Sequence, residues 1–100
     1  FAVENANLSS FIRGLPEGLN TVVGDRGMKL SGGEKQRLAI ARLFLKRPKV
    51  CIFDEATAFL DRETEIKIQG NINNYLFNST KIIITHRPFM VNYSDQIINL

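Results

Sequence analysis

Three short stretches combine residue types that suit phosphate chemistry. Ser31-Gly32-Gly33 stands directly before a run of helix-forming residues. Glycine lets a backbone approach a ligand closely, and a helix N-terminus offers unpaired N–H groups with partial positive charge, so the pattern fits an anion. Glu34 lies three residues after Ser31, so a capping box explains the same pattern without any ligand. Further on, Val50-Cys51-Ile52-Phe53 runs straight into Asp54 and Glu55. Such a strand delivers adjacent carboxylates to a sheet edge, where one suits a divalent cation and the other an attacking water. The pair also reads as helix-capping acids. His86 follows a second apolar run, Ile82-Ile83-Ile84, and is placed to meet a phosphoryl oxygen. A lone histidine reads equally as a packed or solvent-facing side chain.

The elements that must position these residues are legible. The stretch from about Ala2 to Arg13 suits a short helix, ended by Gly14 and Pro16, and a glycine-punctuated connector follows over Leu15–Leu30. Ser31 is a good cap for a helix over Glu34–Lys46, with Pro48 just beyond its end. Val50–Phe53 reads as a buried parallel strand. Arg62–Phe77 suits a second helix, with Ile66, Ile72, Leu76 and Phe77 as core contacts. Lys81–Thr85 reads as another buried strand. A turn or short helix over Pro88–Tyr93 then leads to a third strand over Gln96–Leu100. This alternation predicts an α/β parallel sheet flanked by helices, with Asp54, Glu55 and His86 at carboxyl ends of strands, where such sheets gather ligands.

Composition bounds the rest. The 100 residues allow one domain at most, with 44% hydrophobic and 23% charged residues as in ordinary globular chains. The single cysteine, Cys51, excludes an internal disulfide and a multi-cysteine zinc site. Apolar runs such as Val50–Phe53 fall far short of the roughly 20 residues that span a bilayer. The net charge of +3 says little, but its distribution is uneven. Arg26–Lys49 is basic except for Glu34, whereas Asp54–Glu65 is acidic except for Arg62. A basic helix and an acidic turn fit nucleotide phosphates and a cation, and they also read as two solvated faces. The chain opens at Phe1, shows no signal-peptide pattern, and reads as a piece of something longer.

Taken in order, LSGGEKQR (Leu30–Arg37), CIFDEATAFLD (Cys51–Asp61) and IIITHR (Ile82–Arg87) resemble the ATP-binding-cassette (ABC) transporter ATPases, and the resemblance runs through essentially the whole chain. Leu30–Gln36 is similar to the signature motif, Val50–Asp54 to the Walker B strand, Glu55 to the catalytic glutamate, Ala58–Asp61 to the D-loop and His86 to the switch histidine. Leu15–Gly18 and Thr21–Gly27 resemble the connector of exporter-type members, which faces the transmembrane domains. The resemblance implies the C-terminal part of a P-loop NTPase-like domain, with residues 1–49 as helical subdomain and 50–100 as part of the catalytic core.

It also implies roles. Ser31, Gly32, Gly33 and Gln36 would contribute to binding ATP held by a second nucleotide-binding domain in a head-to-tail dimer. Asp54 would position Mg²⁺, Glu55 would polarise the attacking water, His86 would stabilise the γ-phosphate, and Asp61 would couple the two sites. The expected setting is the cytoplasmic or organelle-matrix side of a membrane transporter, with no nucleic acid as partner. Glu34 replaces a commoner Gln, and Ala58-Phe59 stands where Ser-Ala is usual. No G-x-x-x-x-G-K-[ST] phosphate loop occurs in the 100 residues, so the chain by itself is not expected to hydrolyse ATP. A chromosome-maintenance cassette ATPase and a noncatalytic remnant are the alternatives. Gln36-Arg37 with Ala39-Ile40-Ala41-Arg42, and Ala56-Thr57 after the acid pair, favour the transporter.

Overall fold

The computed structural model describes residues 1–24, 27–88, 90 and 94–98. The elements are α1 (Ala2–Asn5), α2 (Ser9–Arg13), a 3₁₀ turn at Gly18–Asn20, α3 (Gly32–Lys46), β1 (Val50–Asp54), α4 (Arg62–Tyr75) and β2 (Thr80–Ile84). The parallel pair β1–β2, joined by α4, is the α/β unit expected from alternating apolar and amphipathic stretches.

Local chemistry explains the helix ends. The Ser31 hydroxyl accepts the Glu34 N–H at 3.2 Å, and the Glu34 carboxylate accepts the Ser31 N–H at 2.9 Å, a reciprocal capping box. A serine cap of this kind is worth about 1 kcal/mol. At the far end Arg47 takes a left-handed backbone (φ 45°), and Pro48 follows. Asp61 caps α4 by accepting the Thr64 N–H at 3.2 Å.

The core lies where α1, α3 and α4 meet the inner face of the sheet. Ala6, Leu8, Ile40, Phe44, Cys51, Phe53, Ile68 and Ile72 are buried in it. Neither strand is buried on both faces as the apolar runs suggested: β1 alternates, with Cys51 and Phe53 inward and Val50 and Ile52 exposed, and β2 spans Thr80–Ile84 with Ile82 and Ile84 exposed, because only one face of the pair meets helices. The strands pair from Val50↔Thr80 to Asp54↔Ile84, so their carboxyl ends are level.

Several expectations need correction. The stretch from Ala2 to Arg13 is two short helices, because Asn7 adopts a left-handed backbone (φ 60°) between them. Asparagine tolerates that conformation. Distant side chains satisfy the freed carbonyls: Arg37 Nη1 donates to Asn7 O at 2.9 Å, and Asn71 Nδ2 donates to Asn5 O at 3.0 Å. α4 stops at Tyr75, and Ile66 and Phe77 are exposed whereas Ile68 takes a core position. The strand expected over Gln96–Leu100 is not formed at Gln96–Ile98, and Asn99 and Leu100 lie outside the described residues. Most of the Pro88–Tyr93 turn also lies outside them, although Met90 is buried and its N–H donates to Arg87 O at 3.1 Å.

Candidate functional site

β1 ends on Asp54 and β2 is followed by Thr85 and His86, so the expected carboxylates and imidazole share one edge of the sheet. The Glu55 N–H donates to Ile84 O at 2.9 Å, which extends the ladder one residue past β1. There the chain turns sharply, because Glu55 has φ 49°, a conformation that costs a non-glycine residue free energy and is common at functional sites. The Glu55 carboxylate lies 3.3 Å from His86 Nε2. The imidazole is almost wholly exposed, so the pair opens to solvent and to any ligand arriving at this edge. Asp54 is exposed beside it.

A second group lies at the start of α3. Ser31, Gly32, Gly33, Phe59 and Asp61 line one open cavity of about 360 Å³. Gly32 is needed for close packing, since a Cβ there would come within 2.9 Å of the Phe59 ring. Asp61 is exposed, and the Thr64 side chain and N–H hold its carboxyl below the usual carboxylate range.

Gln36 joins the two groups. Its Nε2 donates to Glu55 O at 3.2 Å and its Oε1 accepts the Phe59 N–H at 2.9 Å. One side chain of α3 therefore holds both ends of the turn that leaves the acid pair.

The sequence did not single out Glu65, nor its meeting with Thr57 and Arg87, two residues of the quoted motif stretches. Glu65 belongs to a stretch read as an acidic, solvent-facing surface, yet it is fully buried, and its carboxylate accepts from the Thr57 hydroxyl and from Arg87. Its spacing from Ile68, Ile72 and Leu76 on one helix face was the available signal, outweighed by its charge.

These motifs, with a glycine-opened helix, an acid pair on a parallel strand and a histidine beside it, occur in one order and one geometry. The family model described as ABC transporter matches residues 4–58. The chain belongs to the ABC transporter family. It is 46% identical over 97 residues to an uncharacterized ABC transporter ATP-binding protein of Bacillus subtilis, covering 97% of this chain and 17% of that protein. It is also 46% identical over 97 residues to the ATP-dependent lipid A-core flippase of Chromobacterium violaceum, again covering 97% and 17%. Among solved structures, a bacterial Atm1-family ABC exporter with ATP bound superposes with a TM-score of 0.83 at 47% identity, over 94% of this chain and 16% of that one. The chain thus spans about one sixth of these relatives. The exporter-type nucleotide-binding domain that the motifs resemble is the ABC segment to which these matches correspond.

Proposed function

We propose that this chain supplies the signature and Walker B part of a nucleotide-binding domain that binds and hydrolyses ATP to drive export across a membrane. Residues 1–49 form its helical part and residues 50–100 part of its catalytic core. The observation that carries the reading is the Glu55–His86 contact at 3.3 Å on level ends of parallel strands, tied through Gln36 to the glycine-opened start of α3.

Glu55 is the group that orients the attacking water, since a carboxylate accepts more than one hydrogen bond and the imidazole beside it fixes its direction. His86 is placed to donate to a γ-phosphate oxygen. Phosphoryl transfer is mostly positioning and electrostatics, which suits two groups on a rigid sheet edge. The backbone N–H groups of Gly32 and Gly33 at the start of a capped helix suit the phosphate of ATP held by a second nucleotide-binding domain. Asp61, on the same cavity, is the group that would face that second domain.

Among the described residues no three His, Cys, Asp or Glu side chains gather into a metal cage. Mg²⁺ does not need one, because it keeps several waters and takes one or two carboxylates beside phosphate oxygens, so exposed Asp54 at a strand end fits it. Held there by Asp54, such a cation would neutralise phosphate charge.

Leu19, Val22, Val23 and Met28 expose apolar surface around the connector, which supports docking of transmembrane domains there. No helix among the described residues is long and apolar enough to cross a membrane, so spans would come from those domains. In the intact subunit, Glu55→Gln and His86→Ala should each lower the ATPase kcat by about 100-fold or more while ATP binding persists. Parent-like turnover in Glu55→Gln would overturn the assignment.

A further inference from the structure

Glu65 is a fully buried carboxylate that the mechanism above does not use. Both of its oxygens are engaged: Oε2 accepts from the Thr57 hydroxyl, and Oε1 pairs with Arg87 Nη1. Arg87 reaches further, donating from Nη2 to Ala58 O at 3.0 Å. Thr57 and Ala58 lie in the turn that begins at Glu55, and the Ala58 N–H donates back to Glu55 O at 3.1 Å. Arg87 is covalently next to His86. A single carboxylate therefore ties together the loops leaving β1 and β2, each within two residues of a member of the Glu55–His86 pair.

The carboxylate is itself well anchored. Glu65 stands on the same face of α4 as Ile68 and Ile72, both buried in the core, so the helix acts as a fixed post. A buried charge persists only when it is paired and hydrogen-bonded, and Arg87 with Thr57 meets both conditions. The guanidinium fork matters here, because one side chain contacts the carboxylate and the Ala58 carbonyl together.

We infer that Glu65 is a positioning residue, which sets the separation and orientation of Glu55 and His86 by clamping Thr57 and Arg87. The inference rests on the reading of Glu55 and His86 as the hydrolytic pair. A misplacement of about 1 Å at reacting groups can cost about 100-fold in rate, so a clamp on both loops acts on turnover more than on ground-state binding.

The test uses the intact ATPase subunit carrying Thr57→Val, which removes the hydroxyl at nearly constant shape, Thr57→Ser, which keeps it, and Arg87→Lys, which keeps the charge but loses the fork. Steady-state ATP hydrolysis, ATP-dependent association of nucleotide domains and the thermal midpoint are measured for each. Thr57→Val and Arg87→Lys should lower kcat by about 10- to 100-fold with KM within about twofold of the parent, and Thr57→Ser should restore most of the rate. ATP-dependent association should persist in all three. Parent-like kcat in folded Thr57→Val and Arg87→Lys overturns the inference while leaving the hydrolytic reading intact. So does a fall in kcat accompanied by a comparable fold rise in KM and a lowered thermal midpoint, which marks a merely structural contact. Should Thr57→Val fail to fold, Arg87→Lys is read by the same outcomes. A parent whose hydrolysis survives Glu55→Gln overturns the hydrolytic reading and this inference together.

Discussion

Asp61 shows how one residue serves both a helix and a site. Its carboxylate caps α4 by accepting the Thr64 N–H, and it also lines the cavity at the start of α3. Hydrogen bonds from the Thr64 side chain and N–H hold its pKa below the ordinary value, so the folded state favours the charged form. A carboxyl whose folded pKa is depressed contributes stability that is fully present above its unfolded pKa. That contribution is lost as pH falls through the folded value. Asp61→Asn keeps a good cap but removes this titration. Thermal midpoints followed below about pH 5 should therefore fall less steeply in Asp61→Asn than in the parent. Parallel profiles would show that Asp61 makes no contribution of this kind. At the same scale, the placement of Asp54, Glu55 and His86 at strand ends was legible, because a short apolar run that reads as a strand stands just before each group. Glu65 and Arg87 were not legible, since their pairing depends on where α4 passes the loop after β2, and no local spacing encodes that meeting.

At the scale of elements, α3 was readable from its cap to its proline stop because both signals are local. The break at Asn7 was hidden, because its carbonyl partners come from α3 and α4. Turn and helix also meet at Gly32, where the Phe59 ring fills the space a side chain would need. Phe59 is 73% exposed, so the ring can move aside at modest cost, but the turn from Glu55 to Leu60 would follow it. Gly32→Ala should therefore weaken both stability and ATP turnover in the intact subunit, and adding Phe59→Ala should recover part of each loss. A double-mutant cycle on the thermal midpoint and kcat measures that coupling. Strict additivity would mean that ring and glycine do not constrain one another.

At the scale of the whole molecule, the sheet has one finished face and one open one. Cys51 and Phe53 are packed inward, whereas Val50, Ile52, Ile82 and Ile84 expose apolar side chains across the opposite face. Parallel sheets are ordinarily covered on both sides. The chain spans about one sixth of its relatives' length, and no G-x-x-x-x-G-K-[ST] loop occurs in its 100 residues, so under the proposed function the intact subunit would have to bring both a cover for this face and that loop's lysine. Two properties should then change together. The isolated 100 residues should bind a hydrophobic dye and show no ATP hydrolysis above background. The intact subunit should hydrolyse ATP and leave the same strands inaccessible to the dye. Lysine at Ile52 separates the two effects: it should reduce dye binding by the isolated chain, yet destabilise the intact subunit, where it would bury a charge without a partner. If Ile52→Lys were harmless in the intact subunit, the open face would be a true solvent surface and the sheet would be complete as it stands.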